Sequence, residues 1–357
     1  MRPRRKLTML EDRRAALETC AFCPKLSRSA CPVSDAEALE TVTPWGKMSG
    51  TYDVARGAAP PSRAHAALPW ACTHCFACRE ICEHRTPVAE TLNRARAEYT
   101  RLGLAPAGAE IVRRTHRRRL ARLDERIRAL RTAIEHRDDA PTAVVLGCEY
   151  ALHLPEEAMD AVRAAVALFG PIRLLSGCCG QPLDAAGDPE RARELEASMM
   201  AGASGATRRL AVDAGCAYRL RGRGFVPFAE AAIAALGERS TEPAFGDRVL
   251  RYHDACLLGR GLGCYDAPRQ LVSRASTRPV AEFIYRRERA RCSGAGALLP
   301  VTRPKTAAAI ARRRVGEHEM LGGGTIVSAC GASVRRFRAV GADVIDLSSI
   351  VRRLVLP

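Results

Sequence analysis

Seven cysteines crowd the first 82 residues, as Cys20-x2-Cys23-x7-Cys31-Pro32 and Cys72-x2-Cys75-x2-Cys78-x3-Cys82. The second run has the spacing that wraps a loop around a [4Fe–4S] cube. Three thiolates on consecutive tight turns bind three irons, and the fourth is aimed at a neighbouring centre. This spacing points to an electron carrier and ties the N-terminal fold to its cysteine loops.

The 357 residues suggest two or three domains, with a well-buried core in at least one. Fifteen cysteines are many, yet the start Arg2-Pro3-Arg4-Arg5-Lys6 runs into Glu11, Asp12, Arg13 and Arg14 instead of an apolar signal segment. No run is apolar enough to span a bilayer. The expectation is a cytoplasmic chain, peripheral at the inner face of the membrane only through a partner, with cysteines as ligands rather than disulfides. The net charge of +17 invites a nucleic-acid reading, but only Lys6, Lys25, Lys47 and Lys305 are lysines. The remaining basic residues are arginine, spread along the chain and not interleaved with aromatic side chains as single-strand binders require. An acidic protein partner or an anionic membrane surface suits the charge at least as well.

Residues 1–106 read as a helical and loop-rich region built on the first seven cysteines, with Gly57–Ser62 as an exposed insertion and a helix over Val88–Arg101. Residues 107–140 form a basic linker. Its helix, over 108–137, carries an apolar seam of Leu120, Leu123, Ile127, Leu130 and Ile134, expected to pack on the cysteine-rich region. From Pro141 short strands alternate with helices. Strands end at Cys148, before Cys178-Cys179-Gly180, before Cys256 and at Cys330. Cys178 to Cys216 and Cys292 to Cys330 are both 38 residues, and each copy closes on a strand and a helix. Two duplicated α/β units follow, over 141–240 and 241–357. The fold class is α+β overall.

In two-cluster ferredoxins the fourth cysteine of each loop serves the other loop's cluster. Cys72, Cys75 and Cys78 then take Cys31 as fourth ligand, and one [4Fe–4S] set is complete. Cys20, Cys23 and Cys82 hold the other, with Ser27 where a third loop cysteine is expected and one residue late. Serine is a poor iron ligand, so three outcomes stay open: a serine-ligated [4Fe–4S], a [3Fe–4S], or a labile or absent cluster. His74 and His84 read as neighbours of the loop. Farther on, Cys148, Cys178, Cys179 and Cys216 bring four thiols from separate loops. Adjacent Cys178 and Cys179 point apart, suited to zinc or an iron–sulfur centre.

These residues resemble the cysteine-rich CCG domain, in which a cysteine, then Cys-Cys-Gly, then Cys-x-x-Cys recur twice. The fit extends over 148–333 and includes Tyr252-His253-Asp254-Ala255-Cys256 and Cys292-Ser293-Gly294-Ala295-Gly296. With Cys23-Pro24-Lys25-Leu26 and Ala30-Cys31-Pro32-Val33, nearly the whole chain is similar to the iron–sulfur subunits of heterodisulfide reductase, glycolate oxidase, anaerobic glycerol-3-phosphate dehydrogenase and the lactate-utilisation complex. Against that pattern Arg219 stands where the last cysteine of the first repeat belongs. In the second repeat Ser293 and Ser333 replace two cysteines, leaving Cys256, Cys292 and Cys330, with water or His253 as a fourth ligand if a metal is held. Cys264 fits no motif position and reads as a free buried thiol.

No hydrolytic triad, phosphate loop or dinucleotide fingerprint is visible. The cysteines carry the chemistry. The leading expectation is an electron-transfer subunit of an oxidoreductase. The resemblance implies a flavoprotein dehydrogenase partner and a quinone-linked, membrane-bound or other acceptor. Two alternatives are thiol–disulfide reduction at the first CCG site and a non-catalytic metal-binding scaffold.

Overall fold

The computed structural model describes residues 7–24, 27–239 and 241–356. The basic start Arg2–Lys6 and the Lys25-Leu26 pair therefore lie outside the described residues. The chain forms two compact units. One comprises residues up to His116 with Pro182–Ala192 and Arg291–Arg313, the other Arg117–Gln181, Arg193–Ala290 and residues from Arg314 on.

The first unit is more helical than its proline and glycine punctuation suggests. Helices run over Arg14–Ala21, Pro32–Glu37, Pro44–Ala55, Arg63–Trp70 and Val88–Arg101, the last with the bounds expected from sequence. Thr43 caps the third: its hydroxyl accepts from Gly46 N, and Pro44 occupies the first turn, where its missing N–H costs nothing. Gly57–Ser62 is a tight connection with Ala58 and Pro60 exposed, as expected. Gly57 is buried, and the N–H groups of Ala58 and Ala59 both reach Asp53 O. Leu7, Leu10, Leu17, Met48, Val54, Trp70, Leu92 and Tyr99 make the core.

Arg96 holds this unit together. It is fully buried, and its five N–H groups are all engaged. Nε and Nη2 donate to Pro69 O (3.1 and 3.0 Å), and Nη2 also donates to Cys72 O (2.7 Å). Nη1 donates to Ala185 O (3.0 Å) and Ala297 O (2.9 Å). One side chain thus joins three separate stretches of sequence.

The second unit holds two four-stranded parallel sheets of identical order. Strands β1 (Thr142–Val145), β2 (Ile172–Leu174), β3 (Arg208–Ala211) and β4 (Phe225–Pro227) run β2-β1-β3-β4. Strands β5 (Leu250–His253), β6 (Ala281–Glu282), β7 (Thr325–Ser328) and β8 (Val344–Asp346) run β6-β5-β7-β8. The central strands β1, β5 and β7 are buried along their whole length, as parallel strands covered on both faces must be. The helix after the fourth strand of each repeat packs on the helix after the first strand of the other. Leu347–Val355 lies against Pro155–Phe169, and Phe228–Leu236 against Asp266–Ala275. One apolar core spans both repeats.

The basic helix runs over Ala107–Thr132 and ends five residues earlier than expected. Beyond it the backbone is drawn onto the sheet edge, where Arg137 N donates to Ile172 O and Ile172 N to Glu135 O. Its apolar seam corrects the sequence expectation. Leu123 and Ile127 are buried in the core of the α/β unit, with Leu120, Leu130 and Ile134 partly buried against it. The reason is local: the α/β core is the larger apolar surface offered to residues from Arg117 on, which belong to that unit.

Candidate functional site

In the first unit, Cys31, Cys72, Cys75 and Cys78 line one cavity together with Lys47, Thr73 and Phe76. The loop achieves this by alternating handedness: His74 and Phe76 take positive φ (53° and 61°), which turns the chain sharply between cysteines. His74 N donates to Cys72 Sγ at 3.4 Å, and Cys31 stands at the N-cap of the helix Pro32–Glu37. Burial pushes the Cys72 and Cys78 thiols up, Cys78 strongly and with help from its cysteine neighbours. Lys47 and Arg96 pull Cys72 back. The His74 imidazole is held well below its usual range by burial and by those two cations. Backbone N–H donation to sulfur and a buried cation beside it suit an anionic, thiolate-bound group.

Cys20, Cys23 and Cys82 also come together. Burial lifts the Cys20 thiol to about 12, with added repulsion from Cys23 and Cys82. Cys82 goes the other way. Burial raises it, but hydrogen bonds from Thr86 and from the backbone of His84 and Arg85 outweigh that and favour its thiolate. Ser27 is half-buried at the start of the turn Arg28–Ala30.

In the second unit, Cys148 follows β1, Cys178 and Cys179 follow β2, and Cys216 follows β3. The strand order reverses between β1 and β3, so the thiols gather at the carboxyl ends beside a topological switch point, where open α/β sheets place their ligands. All four are buried. Cys216 and Cys179 Sγ lie 3.3 Å apart, and Cys178 is hydrogen-bonded to Cys148. Gly180 N (φ +88°) donates to Cys178 Sγ at 3.4 Å, and Arg119 Nη2 to Cys148 Sγ at 3.4 Å. Gly147 has φ +97°, and a Cβ there would meet Asp213 Cβ at 2.7 Å and Cys216 Sγ at 3.2 Å. The four thiols thus form one continuous hydrogen-bonded chain, Cys148–Cys178–Cys179–Cys216, in which the adjacent cysteines touch each other rather than point apart. Four neighbouring buried thiols suit either zinc or a polynuclear iron–sulfur centre.

The strand register corrects the alignment of the two repeats. Val145 pairs with Ala211 and His253 with Ser328. Two residues on, Asp213 and Cys330 occupy the same place, each at the N-cap of the following helix. Cys216 is then the counterpart of Ser333, not of Cys330, and the equal 38-residue spacings do not mark equivalent cysteines. Arg219 is thus not the missing ligand position; it pairs with Glu196 at 3.0 Å. Asp213 is the residue that sequence reasoning missed, and the signal was its place three residues before Cys216. Its carboxyl is buried, and Oδ1 accepts from Gly215 N (2.8 Å) and Cys216 N (3.4 Å). Among the described residues Oδ2 has no hydrogen-bond partner. Burial and nearby Glu149 raise its pKa to about 6.

In the second repeat Gly294 N donates to Cys292 Sγ at 3.3 Å, the same turn as at Cys178. Ser293 is buried and Cys256 half-buried. The Cys330 thiol is pushed up to about 12, by burial and then by Asp213. Cys292 belongs to the first unit, Cys256 and Cys330 to the second. His253 does not serve as a fourth ligand. Its ring packs edge-on against Phe337 and Phe283, and Nδ1 faces Arg314 Nε at 3.4 Å. Cys264 is buried, its thiol raised by burial and by Glu230.

Residues 250–332 match the profile of the family described as CCG, cysteine-rich domain. A subunit of the dihydromethanophenazine:CoB–CoM heterodisulfide reductase of Methanosarcina mazei is 24% identical over 310 residues, covering 80% of this chain and 75% of that protein. The equally named protein from Methanosarcina acetivorans is 26% identical over 286 residues, covering 72% and 69%. The resemblance to CCG iron–sulfur proteins, read from the cysteines, is thereby shown. No helix among the described residues is long and apolar enough to cross a membrane.

Proposed function

From a chain that carries a CCG cysteine-rich domain and is similar to a heterodisulfide reductase component, we propose an iron–sulfur electron-transfer subunit of an oxidoreductase complex. It relays electrons between a flavoprotein-type dehydrogenase and a quinone-linked or other acceptor. The observation that carries this reading is the single cavity lined by Cys31, Cys72, Cys75 and Cys78 with a buried ammonium beside them. Iron–sulfur groups bound there supply one-electron exchange with little change in structure. The protein's own residues fix the sulfurs by backbone donors and bury Cys31 and Cys75, with Cys72 and Cys78 half-buried. They leave Cys23 and Cys82 partly exposed, where a partner can approach.

Cys20, Cys23 and Cys82, with or without Ser27, hold the second N-terminal group. Cys148, Cys178, Cys179, Cys216 and the carboxylate of Asp213 hold a third. Cys256, Cys292 and Cys330 are retained in the second repeat as remnants of the same pattern. The test is anaerobic purification and reconstitution, with iron and acid-labile sulfide assays and a redox titration followed by electron paramagnetic resonance. The reading requires at least one reversible couple that disappears in Cys75→Ala. Colourless protein without labile sulfide, or a chain with no reversible couple, refutes it and leaves the scaffold alternative.

A second reading, thiol–disulfide reduction at the first CCG site, is favoured by the 3.3 Å contact of Cys179 with Cys216 and by the named activity of the relatives. Disulfide cleavage with reduced dye supports it, and activity retained in Cys179→Ser removes that site from it.

A further inference from the structure

Lys47 is 1% exposed, and among the described residues it forms no ion pair with a carboxylate; the leading charges that act on it are cysteine sulfurs. Its ammonium Nζ donates to Cys31 Sγ at 3.2 Å, and the other charges it faces are the sulfurs of Cys72 and Cys78. A buried ammonium without a counter-charge is too costly to persist. The surrounding fold nevertheless holds it firmly in place. Thr43 caps its helix, Lys47 N donates to Thr43 O at 3.0 Å, and Thr51 Oγ1 donates to Lys47 O at 2.7 Å. Gly46 lets the helix start press on the preceding turn, because a Cβ there would lie 2.3 Å from Glu40 O. Trp45 Nε1 ties the same helix to Ala21 O, next to Cys20.

We infer that Lys47 is the internal counter-charge of the group held by Cys31, Cys72, Cys75 and Cys78, and that it raises the reduction potential of that centre relative to the one at Cys20, Cys23 and Cys82. This rests on the electron-transfer reading above. One electron added there increases the negative charge on the sulfurs, and a fixed cation at hydrogen-bond distance stabilises the reduced form more than the oxidised one. No bond forms or breaks, and the electron comes from the external reductant of the titration. Arg96 adds a second buried cation, but its N–H groups are all used by backbone carbonyls, and it is Lys47 that donates to sulfur.

The test uses full-length, anaerobically reconstituted protein and its Lys47→Gln, Lys47→Met and Lys47→Arg variants, titrated with paramagnetic resonance detection. In Lys47→Gln or Lys47→Met the reduced-to-oxidised ratio at the wild-type midpoint falls at least tenfold, about 59 mV for one electron. Lys47→Arg stays within about threefold, and the second N-terminal signal does not move. Loading of Lys47→Arg alone supports the counter-charge role directly. A loaded Lys47→Gln or Lys47→Met with an unmoved midpoint overturns the inference. Wild-type protein without any cluster refutes the underlying reading instead. If no variant loads, wild type grown on nitrogen-15 lysine decides: there are only four lysines, and a hyperfine coupling to one labelled nitrogen is expected in the reduced centre. Its absence overturns the assignment.

Discussion

Replacing Arg96 with methionine removes a cation whose five N–H groups serve four carbonyls, the buried ones of Pro69 and Ala185 and the half-buried ones of Cys72 and Ala297. Each carbonyl left without a donor costs about 1–3 kcal/mol. Against that sum stands the relief of no longer desolvating the guanidinium, several kcal/mol. Burial already pulls that group down to about 10, so it stays charged at neutral pH. The expected net loss is about 3–5 kcal/mol, the range for removing one partner from a buried charged network. Arg96→Lys, with three donors on a compact head, should lose roughly half as much. Both tryptophans, Trp45 and Trp70, lie in the first unit, so urea unfolding followed by tryptophan fluorescence reports on that unit alone. Hydrogen exchange at 182–192 and 291–313 should quicken in parallel. A methionine variant within about 1 kcal/mol of wild type would show that Arg96 is not the staple described.

Ser27→Cys should raise iron content and add an ordinary reduced [4Fe–4S] signal; two such signals already present in wild type would end the atypical-cluster expectation. Asp346 is buried, and burial raises its carboxyl from 3.8 to about 6 despite hydrogen bonds from Ser348 and Tyr150. The folded state holds this proton more tightly than the unfolded chain. Its contribution is therefore complete below about pH 4 and lost as pH rises through about 6, by about 3 kcal/mol. Asp346→Asn should flatten that fall, read as urea midpoints by circular dichroism at pH 4.5 and 7; an unchanged pH difference would contradict it.

Much of the fold was readable because its signals are local. Val88–Arg101 and Thr325–Ser328 stand where periodicity and apolar runs put them, and each repeat closes on the expected strand and helix. The helices Pro44–Ala55 and Arg63–Trp70 were not foreseen. Their proline and glycine content reads as loop, yet Pro44 sits in a first turn and Gly46 at a close approach that only tertiary packing reveals. The cysteine loops of the candidate site were legible because ligand spacing is a short-range property. The role of Asp213 was not, because equal intervals between cysteines concealed a three-residue offset that only strand register exposes. Lys47 and Arg96 were equally hidden among many basic residues, since burial, not identity, sets them apart.

The reach of Arg96 also sets a timetable for synthesis. Its acceptor Ala297 lies 201 residues farther along the chain. At ribosomal rates of about 5–20 residues per second, roughly 10–40 s separate the emergence of Arg96 from that of the last carbonyl it holds. During that interval the nascent cysteines wait in an unfinished housing, open to oxygen and to any metal that passes. The loop that carries Cys72 is thus fully braced only after the first repeat and part of the second have left the ribosome.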